Sequence, residues 1–164
     1  MRRIIFLVGM LLVGAVHAMQ VGQPAPALSA KLFDGSAFSL AQSRGKVVVV
    51  SFWACWCSNC RAELTALDAF YKAHRTDGLD IVAINMDDAE DLNKVREVVK
   101  NLSFPTALHA DTKAEGYGRI WRLPITFVID REGKLRYDGG QGEAKSFDLP
   151  ALEQTVTPLF EKKS

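Results

Sequence analysis

The sequence has little net charge and no concentration of basic residues. Its 164 residues include 20 Lys and Arg against 19 Asp and Glu, so the formal net charge is +1. The basic residues are scattered, and a nearly neutral chain has no electrostatic reason to bind a phosphate backbone. We therefore expect no nucleic-acid partner. With 48% apolar and 24% charged residues, the composition is typical of one globular domain with a substantial core.

Long apolar runs are also scarce, and the clearest one lies at the N-terminus. Residues 1–18 start with two arginines after Met1, continue with a short apolar run and end at Ala18. A helix that crosses a bilayer needs roughly 20 apolar residues, whereas this order of regions is typical of a secretory signal. We therefore predict a signal peptide at 1–18 and one domain at 19–164, periplasmic or otherwise exported and soluble after cleavage. The alternative is tethering by an uncleaved N-terminal anchor.

Cysteine is scarce as well, because the chain has three, all between positions 55 and 60. Cys57 and Cys60 form a CxxC pair, which in other proteins can be half of a zinc site. Zinc would require a second pair of cysteines or histidines at suitable spacing, and the sequence has none. We therefore expect no metal and no cofactor, and we interpret the pair as a redox-active dithiol. A purely structural disulfide is the alternative.

The pair lies between a predicted strand and a predicted helix. Four consecutive valines at 47–50 indicate a strand that is buried on both faces. After the pair, apolar residues at helical spacing predict an amphipathic helix with a charged set on its other side. The apolar set is Leu64, Leu67, Ala69, Phe70 and Tyr71, and the charged set is Glu63, Asp68, Lys72 and Arg75.

This order puts Cys57 where the chain turns into the helix and Cys60 one turn inside it. The first N–H groups of a helix have no internal partners, and the helix dipole puts partial positive charge there. We therefore expect the pKa of Cys57 to lie below that of a free cysteine. Cys57 is the predicted nucleophile and Cys60 the predicted resolving thiol.

The segment at 52–61, Phe-Trp-Ala-Cys-Trp-Cys-Ser-Asn-Cys-Arg, resembles the active-site segment of the thioredoxin superfamily. Roughly residues 21–160 resemble its exported or membrane-tethered branch, which is related to TlpA and ResA. The resemblance implies an α/β thioredoxin fold, with a central mixed sheet flanked by helices, an N-terminal hairpin extension and a helix-plus-strand insertion. It also implies a thiol–disulfide oxidoreductase that reduces disulfides of secreted proteins, such as apocytochrome c. A membrane electron-donor thiol protein would recharge it, and we expect a monomer.

The remaining elements are predicted from turn signals and apolar patterns. The Asp-Gly pair at 34–35 predicts a tight hairpin, and a strand, helix, strand order implies a right-handed parallel crossover. The predicted elements are a helical turn at 39–42, a strand at 79–86, a helix at 87–102, a strand at 104–109, a short helix at 117–121, a strand at 125–130, a hairpin strand at 134–138 and a helix at 149–160.

The resemblance also implies a surface that binds substrate. The matching proline of the superfamily is cis and lies against the cysteines. Carried over to Pro124, this implies that the backbone of Leu123 is left free to pair with a substrate peptide. The alternative is a trans proline that only starts a strand. Trp56 is expected to belong to the flat apolar surface that binds partner peptides.

A base for the resolving thiol is the next expectation. Many thioredoxins have an aspartate on the central strand, but the matching position here is Ser51. Glu63 lies three residues after Cys60 on the same helix and matches a glutamate of the ResA-like pattern. A partly desolvated Glu63 with a raised pKa could take the Cys60 proton. The alternative is a solvated glutamate favoured by the helix dipole.

Cys55 departs from the family pattern, which has a small polar residue there. Three interpretations are open. Cys55 is a neutral replacement, an accessory redox thiol, or a ligand that makes Cys55, Cys57 and Cys60 a soft site for Cu(I). The last interpretation defines an alternative function, a copper-binding or copper-transfer module on the same fold.

Overall fold

The computed structural model describes residues 19–141 and 146–161. The predicted signal peptide at 1–18 lies outside the described residues. The strands are β1 (Ser29–Leu32), β2 (Ala37–Ser39), β3 (Val47–Trp53), β4 (Leu79–Asn85), β5 (Thr106–Lys113), β6 (Ile125–Ile129) and β7 (Leu135–Asp138), and the helices are α1 (Ser58–His74), α2 (Leu92–Val99) and α3 (Leu149–Val156).

The seven strands form one mixed sheet in the order β2-β1-β5-β4-β3-β6-β7. β3 pairs in parallel with β4 and antiparallel with β6, which makes it a central strand. All of its residues are buried, as the run of valines predicts. The α/β thioredoxin fold with its mixed sheet is confirmed, as is the N-terminal hairpin, in which β1 and β2 pair across the Asp-Gly turn.

Side chains of β3 alternate between two core clusters, because successive residues of a strand point to opposite faces. Val47, Val49 and Trp53 pack with the buried residues of all three helices, whereas Val48, Val50 and Phe52 pack on the opposite face. Ser51 therefore falls on the face that α1 covers. Its hydroxyl is therefore on the same side of the sheet as α1 and its buried Glu63.

The inward face of α1 differs from the prediction in two positions. Glu63 is 1% exposed, whereas it was expected on the charged side, and Ala69 is exposed. In a helix, residues three and four apart share a face. Glu63 follows Cys60 by three positions and precedes Leu67 by four, so it points into the core.

Other boundaries differ from the prediction for local reasons. The predicted helix at 117–121 is wrong, because the chain forms a 3₁₀ turn over Glu115–Tyr117 and then takes a positive φ of 75° at Gly118. The helix predicted at 87–102 is limited to α2 and a preceding 3₁₀ turn, since Asp88 is extended. The last α-helix stops at Val156 and continues as a 3₁₀ turn that contains Pro158, which has no N–H for a helix bond. β5 starts after Pro105 and runs to Lys113, beyond the predicted end.

Candidate active site

The cysteine pair lies at the point where β3 gives way to α1. Cys57 is the N-cap residue of α1, and its sulfur forms a disulfide with Cys60. The N–H of Cys60 donates to Sγ of Cys57 at 3.2 Å. Cys57 is 8% exposed and Cys60 is fully buried. An attacking partner can therefore approach Cys57 only, and the N–H bond favours a thiolate on that sulfur after reduction.

Glu63 lies one turn further along α1 and is enclosed by polar donors. Its Oε1 accepts hydrogen bonds from the hydroxyls of Ser51 (2.8 Å) and Thr126 (2.6 Å), and its Oε2 accepts from the N–H of Phe147 (2.8 Å). Burial raises the pKa of Glu63, and these hydrogen bonds act in the opposite direction. The alternative of a solvated glutamate is therefore wrong. The role of Glu63 as a base stays a prediction.

The sequence reasoning missed the donors that hold this carboxylate. Ser51 and Thr126 are 1% and 2% exposed, and they interrupt strands that are otherwise apolar. A buried polar residue needs a hydrogen-bond partner, so each interruption was a signal that a polar group lay opposite. The N–H of Phe147 had no such signal, because a backbone donor is the same at every residue.

The segment before β6 brings Leu123 and Pro124, two of the predicted substrate-binding residues, next to the end of β3. The peptide bond between Leu123 and Pro124 is cis. Phe52 of β3 pairs with Ile125 of β6, so Pro124 lies next to the end of β3, from which the cysteine segment starts. Leu123 is half-buried and packs against both core clusters, and Trp56 is 72% exposed. Their role in binding a substrate stays a prediction.

Cys55 forms a hydrogen bond with the carboxylate of Asp87, which lies just after β4. Its N–H donates to Oδ2 of Asp87 at 2.7 Å, and the same oxygen accepts from the amide of Asn85 at 2.6 Å. Burial, together with a hydrogen bond from the thiol to Asp87, raises the pKa of Cys55 to about 11. In the described parts of the chain, no three His, Cys, Asp or Glu side chains are grouped as metal ligands. The copper alternative therefore gains no support from the geometry.

Comparisons with known proteins match this arrangement. The model of the AhpC/TSA family matches residues 21–138. The chain belongs to the AhpC/TSA family. Among relatives of this AhpC/TSA family member, the thiol–disulfide oxidoreductase ResA of Bacillus cereus is 32% identical over 142 residues, which cover 85% of this chain and 80% of ResA. The thioredoxin-like protein YneN of Bacillus subtilis is 34% identical over 121 residues, 72% of this chain and 70% of YneN.

A solved structure shows the same fold. The thioredoxin-family thiol:disulfide interchange protein of Chlorobium tepidum superposes with a TM-score of 0.70 at 26% identity, covering 85% of this chain and 97% of its own. Together with the CxxC disulfide, these relatives identify this AhpC/TSA family member as a thiol–disulfide oxidoreductase, an enzyme that acts on protein substrates. No helix in residues 19–141 or 146–161 is long and apolar enough to cross a membrane.

Cys55 of this AhpC/TSA family member should react slowly with alkylating agents. With a pKa of about 11, roughly one molecule in 10⁴ carries the thiolate at pH 7, and the thiolate is the reactive form. We expect the oxidised protein to take up iodoacetamide at Cys55 far more slowly than a free cysteine does at pH 7, with a rate that rises up to about pH 11. Mass spectrometry of timed samples measures this.

The variant that tests the cause is Asp87→Asn, which removes the negative charge beside the thiol. We expect alkylation of Cys55 to become faster in this variant. Equal rates in the two proteins, or a wild-type rate like that of free cysteine, would contradict the assigned environment of Cys55.

Proposed function

We propose that this enzyme is an exported protein-disulfide reductase, released by cleavage after Ala18 and formed by one domain at 19–164. Its substrates are misoxidised secreted proteins, with apocytochrome c among them, as the thioredoxin resemblance implies. A membrane thiol protein supplies the electrons, and the enzyme acts as a monomer.

The first step uses Cys57. Its thiolate attacks one sulfur of the substrate disulfide and forms a mixed disulfide, and the other substrate sulfur leaves as a thiolate that takes a proton from water. Cys60 cannot take this role, because it is fully buried. The hydrogen bond from the N–H of Cys60 and the helix N-terminus stabilise the attacking thiolate.

The second step uses Cys60 and Glu63. The buried thiol of Cys60 gives its proton to the carboxylate of Glu63, one helical turn away, and the new thiolate attacks Sγ of Cys57. The disulfide between Cys57 and Cys60 forms, the bond from Cys57 to the substrate breaks, and the second substrate sulfur leaves as a thiolate. Burial raises the pKa of Glu63, which brings this base closer to neutral pH.

The observation that favours reduction over oxidation is the small number of groups that stabilise a Cys57 thiolate. Among the described residues, the hydrogen bond to Sγ of Cys57 comes from one backbone N–H, and the intervening Ser58 and Asn59 carry no charge. Glu63 puts a carboxylate on the same helix, and a negative charge near a thiolate disfavours the thiolate. Strong oxidants have a reduced form that is heavily stabilised. We therefore propose that the reduced form is not strongly stabilised here and that the dithiol acts as a reductant.

Three residues would present the substrate. Trp56 exposes most of its ring next to Cys57, and the backbone of Leu123 forms no hydrogen bond within the described residues. An extended substrate segment can pair with Leu123 as an added strand. Pro124 has no N–H of its own and is buried beside the end of β3, where it holds this backbone in place.

The reduction potential of the Cys57–Cys60 pair tests the proposal. We expect a value of about −270 mV or lower in defined glutathione buffers, measured on a Cys55→Ser variant so that only one pair titrates. A value near about −120 mV would show that the reduced form is strongly stabilised. The protein would then donate disulfides, and the proposed direction would be wrong.

A further inference from the structure

The side chain of Glu63 is held by two hydroxyl groups from neighbouring strands. Ser51 of β3 and Thr126 of β6 are directly opposite each other in the antiparallel pairing. Opposite side chains in such a pair lie about 5 Å apart on the same face, and here that face is covered by α1. Both hydroxyls donate to the same carboxylate oxygen, Oε1, at 2.8 and 2.6 Å.

The two oxygens of Glu63 therefore have different free capacity. A carboxylate has about four acceptor positions, two on each oxygen. Oε1 has two donors, whereas Oε2 has the N–H of Phe147 at 2.8 Å. The hydroxyl of Ser146 is near enough to lower the pKa of Glu63, as the weakest of its partners. It has a single proton, however, and donates it to the carbonyl of Asn59 at 3.4 Å, so it does not occupy Oε2. Oε2 is thus the oxygen with room for a proton.

We infer that Ser51 and Thr126 are positioning residues that occupy Oε1 and so direct the proton of Cys60 to Oε2 of Glu63. This inference rests on the proposed role of Glu63 as the base of the resolving step. Neither hydroxyl touches a reacting sulfur in this scheme. Both act through the carboxylate, by fixing its rotation and by stabilising its charged form.

Burial makes these two contacts important. Ser51, Glu63 and Thr126 are all at most 2% exposed, so water cannot replace a lost donor. A hydrogen bond to a charged group contributes more than one between neutral groups. Removing one hydroxyl leaves the charged form less stable, and the pKa of Glu63 moves further up. The base then becomes available only at higher pH.

A titratable group on β7 also interacts with this carboxylate. The pKa of Tyr137 is raised, first by burial and then by the charge of Glu63. Tyr137 therefore stays neutral across the pH range in which the carboxylate loses its proton. Changes in the pH profile of the resolving step can be assigned to Glu63 and the cysteines.

The test separates the two steps with dithiobis(nitrobenzoate), a disulfide whose two halves are coloured when released. The first half leaves when Cys57 attacks and the second when Cys60 resolves the mixed disulfide. All proteins carry Cys55→Ser and are reduced before mixing. In Thr126→Val and Ser51→Ala we expect the second release to slow about tenfold at pH 7, with its acid limb shifted up by about one pH unit. The first release should keep its rate.

Two controls make the result specific to the hydroxyls. Thr126→Ser keeps a hydroxyl and should restore the wild-type profile, which a general packing defect would not allow. Thr65→Val makes the same change at an exposed helix position, where the hydroxyl bonds the carbonyl of Arg61, and should change neither step. Wild-type resolving profiles in both Thr126→Val and Ser51→Ala would overturn the inference, as would failure of Thr126→Ser to restore a shifted profile.

Failure of the inference is distinguishable from failure of the proposed base. If Glu63→Gln slows the resolving step but Thr126→Val and Ser51→Ala do not, Glu63 is the base and the positioning role is wrong. If Glu63→Gln leaves the resolving step unchanged, the proposed base is wrong and the inference falls with it. Carbon-13 NMR of the Glu63 carboxyl in each variant gives its pKa directly, without a kinetic assay.

Discussion

Cys60→Ser should stop the reaction halfway and trap the substrate on Cys57. Cys57 is the sulfur that a partner can reach, while Cys60 is fully buried and supplies the resolving thiol. With dithiobis(nitrobenzoate), this variant should release one coloured half per molecule and retain the other, whereas the wild type releases both. Cys57→Ser should lower the rate of the first release by at least about 10³-fold, because it removes the nucleophile itself. Absorbance counts the released halves, and mass spectrometry detects the trapped adduct.

Cys55→Ser is the matched control for both variants. It removes a thiol two residues away, and both halves should be released at the wild-type rate. Loss of the second release in Cys55→Ser would show that Cys55 resolves the mixed disulfide. Rapid attack by a protein that carries both Cys57→Ser and Cys55→Ser would show that Cys60 can be reached from solvent, and either result would contradict the assigned roles.

Glu63→Gln should slow the resolving step by about 10²- to 10⁴-fold near neutral pH, the usual contribution of a general base. Burial raises the pKa of Glu63, so in the wild type the resolving rate should increase as pH rises through that raised pKa. The glutamine variant should lack this limb. Rapid mixing at several pH values measures the effect, and Glu90→Gln, at an exposed position, is the control. Equal resolving rates in Glu63→Gln and wild type would exclude the base.

The same variant should change how stability depends on pH. The folded-state pKa of Glu63 lies above its unfolded value of about 4.3. The stabilisation linked to its protonation is therefore fully present below about pH 4.3 and is lost as pH rises through the folded-state pKa. Urea unfolding should show the wild type losing stability relative to Glu63→Gln over this interval, at no more than about 1.4 kcal/mol per pH unit. Parallel pH profiles would contradict a buried, titrating carboxylate.

Local sequence signals were sufficient for the strand, the turn and the helix around the cysteines. The run of valines predicts β3 and the Asp-Gly pair predicts the hairpin of β1 and β2. Each signal comes from residues close together in the chain, and the structure has both elements. The N-terminal position of Cys57 on α1 follows from the same signals. The prediction of a short helix at 117–121 was wrong because Gly118 adopts a positive φ. The neighbouring residues give no sign of that backbone conformation.

The position of the Glu63 carboxylate and its hydrogen-bond partners could be predicted only in part. The spacing from Cys60 placed Glu63 near the resolving thiol. Its grouping with the other charged residues of the helix, however, assigned it to the wrong face of α1. Its partners come from β3, β6 and the segment before α3, and no local pattern states which distant residues will meet. The polar interruptions at Ser51 and Thr126 were visible, yet their pairing depends on the register between β3 and β6.

The contacts of Glu63 also bear on when a refolding chain regains activity. The two cysteines are three residues apart, whereas the carboxylate takes donors from Ser51, Thr126 and Phe147, which lie in three separate segments. A partly folded chain in which Phe147 has not yet packed beside α1 has both thiols but an incomplete set of donors to the base. Such a chain can attack a disulfide and form a mixed disulfide without being equipped to resolve it. Full turnover should therefore recover only when the last of these three segments has packed.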